Sequence, residues 1–276
     1  MPQQNDIIKK GVVAWIRKYK LLDRQEEVVV LGMARKMAQR VFPKKTNGLF
    51  WVDFFKAWVV IYVLDYFYDT LGIDSVRIHK NDRFNFFISK NTKISMRDKK
   101  RIRGLSVAVR SIASHYDKKQ KKRIYAFIEK MLKAMEYENN IQNLQKQPSF
   151  SQYLKKTKES IGSKLLLGIA YINYSLNYGK NLQKLDDSCA RLARLTNDLV
   201  SFLKEKQENK KNAIELLITN GASENEAKNY IKKQIKYGQK NIKKILKKLP
   251  KHSVLKFIIN NFIKWLLNVY GKGAKS

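Results

Sequence analysis

The most informative part of the sequence is the segment from Arg191 to Asn212, which reads RLARLTNDLVSFLKEKQENKKN. Within it, Asn197, Ser201 and Glu205 follow one another at four-residue spacing. Because an α-helix turns about 100° per residue, this spacing places the three side chains on one slowly drifting stripe. An amide, a hydroxyl and a carboxylate are hard oxygen ligands of the kind that bind Mg²⁺ together with a substrate phosphate. The segment therefore predicts a helix that presents either a metal-binding row or an ordinary polar face.

The rest of the chain also follows a helical pattern. Apolar residues recur at three- and four-residue spacing, and helix breakers are scarce, with 12 Gly and 4 Pro in 276 residues. The pattern predicts an all-α protein with a single domain over residues 1–276. The predicted helices cover residues 6–42, 51–71, 101–137 (as one or two helices), 152–178 with a break at Gly162, 186–206, the stretch from a Ser223 cap to Pro250, and 254–270, with a polar connection over 73–100.

Net charge is the second informative feature of the sequence. The chain carries 57 Lys and Arg against 23 Asp and Glu, a formal net charge of +34, and no acidic residue follows Glu226. Charge of this size concerns partners and solubility rather than fold. It is typical of a surface for nucleic acid or anionic lipid, of a site for a highly charged phosphate substrate, or of generic solvated lysines. The single Cys189 excludes an intramolecular disulfide framework and a cysteine-based zinc cluster.

A second pair of candidate metal ligands lies in the aromatic helix predicted over residues 51–71. Asp65 and Asp69 are one helical turn apart, so their carboxylates face the same way. Trp58 and Tyr62 precede Asp65 on the same predicted face. Their rings either line a cavity and stabilise cations or belong to an ordinary aromatic core.

With its flanks, the Arg191–Asn212 segment resembles the second metal-binding motif of class I terpene synthases. In that motif an Asn or Asp followed by Asp precedes, at fixed spacing, a Ser or Thr and then a Glu. The matching residues here are Asn197, Asp198, Ser201 and Glu205, with Arg194, Lys204 and Asn212 in the flanks.

Two further segments resemble motifs of the same family. Residues 64–69 (LDYFYD) resemble its Asp-rich motif, commonly Asp-Asp-x-x-Asp, with Tyr66 at the position of the second Asp. Residues 153–162 (YLKKTKESIG) resemble the segment in which a helix breaks toward the substrate. That register places Lys158 at the diphosphate-sensing Arg, and Ile161 and Gly162 at the break. The Arg–Tyr pair typical of microbial members is not clearly present, and the candidate substitutes for it are Tyr270 and Lys272.

The resemblance implies the fold and the activity of the family. The implied fold is a single-domain helical bundle around a central active-site cavity, with the two metal-binding rows on facing helices. The implied activity is the Mg²⁺-dependent ionisation of an acyclic prenyl diphosphate, farnesyl diphosphate first and geranylgeranyl diphosphate next, followed by cyclisation of the carbocation. Three Mg²⁺ ions are expected, bound by Asp65, Asp69, Asn197, Ser201 and Glu205. The residues expected to contact the diphosphate are Lys158, Arg194, Lys204, Tyr270 and Lys272.

Other functions stay open at this point. A trans-prenyl diphosphate synthase shares the implied fold and substrates, but normally carries Asp-rich motifs at both metal sites. A non-catalytic basic helical protein would bind nucleic acid or an anionic membrane. Lysine pairs alternate with Ile and Leu over residues 227–248, which allows peripheral membrane attachment. A cyclase that has lost its activity is a further alternative, given Tyr66 and the missing Arg–Tyr pair.

The cellular location and the partners follow from the same features. The N-terminus MPQQND lacks the basic and apolar regions of a secretory signal, and the most apolar stretch, residues 54–68, is interrupted by Lys56 and Asp65. A cytoplasmic enzyme without a specific nucleic-acid partner is therefore expected. Its oligomeric state, a homodimer included, stays open.

Overall fold

The computed structural model of the protein describes residues 9–43, 48–71, 77–79, 85–87, 94–144, 147–176, 179–250 and 253–271. Helices dominate these residues, which confirms the all-α prediction. After a π-helical turn (Lys9–Val13), they are α1 (Ala14–Lys18), α2 (Arg24–Val41), α3 (Gly48–Leu71), α4 (Met96–Ser114), α5 (Lys118–Asn140), α6 (Phe150–Thr157), α7 (Ser163–Asn173), α8 (Lys180–Gln207), α9 (Ala213–Thr219), α10 (Glu224–Lys247) and α11 (Val254–Gly271), with a 3₁₀ turn at Ile141–Asn143. Between α3 and α4, β1 (Arg77–His79) pairs antiparallel with β2 (Asn85–Phe87). None of the described helices is long and apolar enough to cross a bilayer.

The chain divides into two compact units. The first comprises Met1–Glu129 and Leu165–Ser175, and the second comprises Lys130–Lys164 and Leu176–Ser276. The predicted Asp-rich row lies in the first unit and the predicted Asn/Ser/Glu row in the second. A single domain over residues 1–276, and the facing of the two rows across a central cavity, therefore stay predictions.

The core of the first unit is aromatic and is built around α3. Phe42, Phe50 and Phe54 are buried, and Phe42 packs edge to face on the other two, with ring centroids 4.9 Å apart for Phe42–Phe50 and 5.1 Å apart for Phe42–Phe54. Further along α3, Leu64 and Phe67 are also buried, and the helix packs on α2 and α4. Burial of this face orients the part of α3 that carries the Asp-rich row.

The second unit is built around α8, which packs against α6, α9, α10 and α11. Its buried face includes Leu185, Leu192, Leu195 and Phe202. On its apolar face, α10 buries Ile231, Ile235 and Ile242 at four- and seven-residue intervals, which is the spacing of one helix face. The row predicted to bind metal is therefore carried by a helix that is fixed on several sides.

The cap predicted at Ser223 and the break predicted at Gly162 are confirmed, and Ser149 is a further cap. Ser149 and Ser223 each begin a helix with a reciprocal capping box, formed with Gln152 and Glu226 respectively. The break predicted at Gly162 separates α6 from α7. Gly162 has φ +70°, a left-handed conformation that glycine adopts without steric cost.

The structure also differs from the prediction: the segment predicted as a polar connection holds β1, β2 and the start of α4, and two helical regions differ as follows. The helix predicted over residues 6–42 is divided, because Lys20 has φ +50° and Asp23 begins α2 with a capping box to Glu26. The short helix α9 was not predicted. It begins at Asn212, whose side-chain Oδ1 accepts from the backbone N–H of Ile214 at 2.9 Å.

Candidate active site

The predicted Asp-rich row lies on the open face of α3, in the first unit. Asp65, Asp69 and Tyr62 are exposed, and Trp58 is half-buried, whereas the intervening Val63 is buried. The shared face predicted from the sequence is therefore present in the folded helix. The roles of Asp65 and Asp69 as metal ligands, and of Trp58 and Tyr62 in a cavity, stay predictions.

Tyr66 occupies the position of the second aspartate of the family motif, and it packs on a buried cation. The guanidinium carbon of Arg101 lies 4.6 Å from the centre of the Tyr66 ring. Arg101 donates to the carbonyl of Lys20 at 3.2 Å and to Oε2 of Glu26 at 3.5 Å. Burial, and then the nearby Glu26 carboxylate, raise the pKa of Tyr62, which is hydrogen-bonded to Glu26. A carboxylate at position 66 would lie close to Arg101. The tyrosine found there instead contacts the Arg101 guanidinium through its ring.

The Asn/Ser/Glu row lies on a partly open face of α8, in the second unit. Asn197, Ser201 and Glu205 are all half-buried, whereas the adjacent Asp198 and Phe202 are fully buried. The hydroxyl of Ser201 donates to the backbone carbonyl of Asn197 at 2.8 Å, so its oxygen lone pairs point away from that bond. The helix therefore presents, along one side, three side chains whose oxygen atoms can bind a metal ion.

The end of this row is tied to the start of α9 by Asn212. Its side-chain Nδ2 donates to Oε2 of Glu205 at 2.8 Å and to the backbone carbonyl of Asp198 at 3.1 Å. The same amide caps α9 through its oxygen. Asn212 thereby fixes one oxygen of the Glu205 carboxylate, and the other oxygen is the candidate metal ligand.

A buried charged network lies directly behind the row. The Arg194 side chain is 2% exposed, and its nitrogens lie 2.5 Å from Oε1 of Glu138 and 2.5 Å from Oδ1 of Asp198. Arg194 also donates to the hydroxyl of Ser160 at 3.0 Å, and the Tyr153 hydroxyl donates to Asp198 at 3.1 Å. Two carboxylates thus share one guanidinium, and this network connects α5, α6 and the following turn to α8.

Burial dominates the electrostatics of this network. It raises the pKa of Asp198 to about 7, against the opposing influence of Arg194, while Glu138 and Glu205 raise it further. The pKa of Tyr153 is also raised, first by burial. Asp198 consequently holds a proton more tightly than an exposed aspartate does.

The predicted diphosphate contacts of the second unit lie at separate places. Lys158, at the end of α6, has its Nζ 3.0 Å from Oδ2 of Asp187. Asp187 precedes Asn197 on α8 by ten residues, which corresponds to about 15 Å along the helix axis. Lys204 is 75% exposed and pairs with Glu208 at 3.6 Å.

The remaining predicted contacts and cavity residues are distributed as follows. Ile161 is half-buried and Gly162 is buried in the turn between α6 and α7. The side chain of Tyr270 and the whole of Lys272 lie outside the described residues. The diphosphate roles of Lys158, Lys204, Tyr270 and Lys272 stay predictions. So does that of Arg194, although Glu138 and Asp198 already share its buried guanidinium.

The oxygen donors on α8 fit Mg²⁺. Within the described ranges, no three His, Cys, Asp or Glu side chains converge on a common point, so a soft or fully protein-made metal cage is not present there. Mg²⁺ differs from such metals because it keeps several waters and takes further ligands from substrate phosphates. A row of amide, hydroxyl and carboxylate oxygens, with the carboxylate held by Asn212, suits that mode of binding.

Part of this site was missed in the sequence. The network partners Glu138, Ser160 and Tyr153 are distant from Arg194 along the chain, and no local spacing reveals them. One signal was present: Asp198 lies four residues after Arg194, a spacing at which opposite charges meet on a helix.

Comparison with known proteins identifies the family of the chain. A family model described as "Terpene synthase family 2, C-terminal metal binding" matches residues 56–240, and the chain belongs to this family of enzymes. The match spans both candidate metal rows. The chain is therefore a terpene synthase, and the matched family domain is one that binds metal.

Solved structures of terpene synthases share the fold at low sequence identity. One is 2-methylisoborneol synthase from Streptomyces coelicolor A3(2), in complex with Mg²⁺ and 2-fluoroneryl diphosphate, with 12% identity, a TM-score of 0.73 and coverage of 99% of this chain and 92% of the other. Another is linalool/nerolidol synthase from Streptomyces clavuligerus, with 11% identity, a TM-score of 0.69 and coverage of 96% of each chain. A T181N variant of cucumene synthase has 11% identity, a TM-score of 0.68 and coverage of 98% of this chain and 95% of the other. No curated protein matches the chain by sequence.

Proposed function

We propose that the protein is a Mg²⁺-dependent terpene cyclase that ionises an acyclic prenyl diphosphate and releases diphosphate. Farnesyl diphosphate is the proposed substrate, with geranylgeranyl diphosphate next, and the product is a terpene hydrocarbon or alcohol. The observation that carries this proposal is the row of Asn197, Ser201 and Glu205 on the open side of α8, with Glu205 held by Asn212. The family match supports it, because the matched domain binds metal and covers this row.

The metal ligands in this proposal are Asp65 and Asp69 on α3, together with the α8 row. Three Mg²⁺ ions are proposed. When bound, they neutralise the charge that develops on the diphosphate as its bond to the allylic carbon breaks. The side chains of the chain itself bind and orient those ions, and the two aspartates add formal negative charge to the one carboxylate of the α8 row, Glu205.

The basic residues are proposed to act in two different ways. Lys204, Lys158, Tyr270 and Lys272 are proposed to contact the diphosphate, as the resemblance implies. Arg194 is proposed to act through α8 instead, because its charge is already shared by Glu138 and Asp198 in a buried site. It holds the helix that carries the metal row and is a positioning residue.

The apolar part of the substrate needs a site from which water is excluded until the carbocation has rearranged. Trp58 and Tyr62 on α3, with Ile161 and Gly162 at the break after α6, are the proposed cavity residues. Ring faces such as that of Trp58 stabilise a nearby cation through their quadrupole. No side-chain base is proposed for the final deprotonation.

The proposal is tested by incubating the purified protein with geranyl, farnesyl or geranylgeranyl diphosphate and Mg²⁺, followed by analysis of the organic extract. A cyclase releases a cyclic product from one allylic diphosphate alone, and a chelator abolishes the product. A trans-prenyl diphosphate synthase would instead need isopentenyl diphosphate and would release a longer diphosphate. An extract that holds no product from any of the three substrates would overturn the proposal.

A further inference from the structure

The outer side of α10 carries a dense array of lysines that the proposed reaction does not use. Eight lysines along this helix and its C-terminal cap are exposed. They are Lys232, Lys233, Lys236, Lys240, Lys243, Lys244, Lys247 and Lys248. At about 100° and about 1.5 Å per residue, they occupy one arc of about 160° over about 24 Å of helix. This array is called the lysine face.

The lysine face is not neutralised by neighbouring acids. Glu224, at the start of α10, pairs with Lys206 and Lys228, which are not members of the face. Within the part of the chain that the structure describes, none of the eight lysines forms an ion pair. The sequence around and after the face also adds no acid, because no Asp or Glu follows Glu226.

The opposite side of α10 is already occupied by the protein's own core. Ile231, Ile235, Ile242 and Leu246 are buried, and α10 packs along α8 and α9. The helix therefore cannot turn its apolar side toward a membrane interior. What it offers is a fixed, straight array of charges, with the 62% exposed Tyr237 at one edge.

We propose that the lysine face binds the anionic headgroups of a phospholipid bilayer. Its members are lysines throughout, and the last arginine of the chain is Arg194. Nucleic-acid sites favour arginine, because its planar guanidinium forms two hydrogen bonds at once to a phosphate or a base edge. A diffuse anionic lipid surface needs only point charges, which lysine supplies. The exposed ring of Tyr237 suits the headgroup level, where amphipathic aromatic side chains concentrate.

The expected binding is electrostatic and additive. Each lysine near an anionic leaflet strengthens binding by about fivefold. The apolar side of α10 stays packed against the protein and does not insert into the bilayer. The attraction is therefore mainly between charges, and added salt screens it.

The test is co-sedimentation of the full chain with vesicles of phosphatidylserine and phosphatidylcholine, compared with vesicles of phosphatidylcholine alone. The test variant carries Lys232→Gln, Lys236→Gln, Lys240→Gln and Lys243→Gln. The matched control carries four exposed lysines changed elsewhere: Lys99→Gln, Lys118→Gln, Lys119→Gln and Lys122→Gln. We expect the wild type and the control to bind only the anionic vesicles, the test variant to bind at least about 100-fold more weakly, and added salt to release the wild type.

Three outcomes would overturn the proposal. One is that the wild type fails to sediment with anionic vesicles. Another is that both variants lose binding equally, which would assign the effect to total charge rather than to this face. The third is that duplex DNA binds the lysine face more tightly than vesicles do and displaces them. Circular dichroism checks that the test variant and the control variant keep their helix content. Terpene formation in vesicle-free solution is expected to stay unchanged in both variants.

Discussion

Asn212 donates its side-chain Nδ2 to Oε2 of Glu205 at 2.8 Å, and so joins the last member of the α8 row to the first turn of α9. Asn212, which follows α8 after one short loop, therefore helps to hold Glu205 in place. Outer partners of this kind fix the orientation of a metal ligand, and their loss typically weakens metal binding by about 10- to 100-fold.

Asn212→Ala is expected to raise the Mg²⁺ concentration needed for half-maximal activity by about tenfold. It also removes the cap of α9, which costs about 1 kcal/mol of stability. The matched control is Asn220→Ala at the other end of α9, where the side chain donates only to the carbonyl of Leu216. A Mg²⁺ requirement that rises equally in both variants would contradict the role of Asn212.

Asp65→Ala is expected to abolish terpene formation and to leave the fold intact, because the side chain lies on the exposed face of α3. Activity is measured by product formation, and folding by circular dichroism and thermal unfolding. The control is Glu136→Ala, which removes an exposed carboxylate from α5. Activity near that of the wild type in Asp65→Ala would remove this aspartate from the mechanism.

Arg194→Met is expected to reduce the free energy of unfolding by about 3 kcal/mol, since it leaves the buried Asp198 and the half-buried Glu138 without their cation. Arg191→Met, one turn earlier on the exposed side of α8, is the control and is expected to change stability by less than about 0.5 kcal/mol. Urea unfolding of both variants measures the difference. Equal stability of the two would show that the buried network does not hold α8.

The raised pKa of Asp198 predicts a pH dependence of stability. Its pKa is about 7 in the folded protein against an ordinary value of 3.8, so between these pH values the folded state holds a proton that the unfolded state has released. The free energy of unfolding contributed by this group is therefore fully present below the unfolded pKa and falls as the pH rises through the folded pKa.

Asp198→Asn is expected to remove that part of the pH dependence. Urea unfolding between about pH 4 and about pH 8 should show a flatter profile in this variant than in the wild type. Glu136→Gln, which changes an exposed carboxylate, is expected to leave the wild-type profile unchanged. Identical profiles for wild type and Asp198→Asn would contradict the assignment to this side chain.

Much of the fold could be predicted from local sequence signals. Ser149 and Ser223 are followed three residues later by Gln or Glu, and Gly162 interrupts a helical pattern, so each marks a helix end by a local physical cause. The division of the helix predicted over 6–42 had the same kind of signal, Asp23 with Glu26, which was overlooked beside the continuous apolar spacing.

The candidate site was predictable only along single helices. The rows on α3 and α8 follow from spacing, because residues three and four apart share a helix face. The network around Arg194 was not predictable, since its partner Glu138 lies on α5, and only folding brings the two together. The pairing of Lys158 with Asp187 is likewise a contact between helices that no local pattern contains.

The central claim is that the α8 row binds Mg²⁺ for the ionisation of a prenyl diphosphate, and the most direct measurement is diphosphate release from farnesyl diphosphate as Mg²⁺ is titrated. We expect the wild type to release diphosphate only with Mg²⁺ and without isopentenyl diphosphate. Glu205→Gln is expected to need at least about tenfold more Mg²⁺, since loss of a ligand costs no less than loss of an outer partner. Release without Mg²⁺, or one titration curve for both proteins, would contradict the central claim.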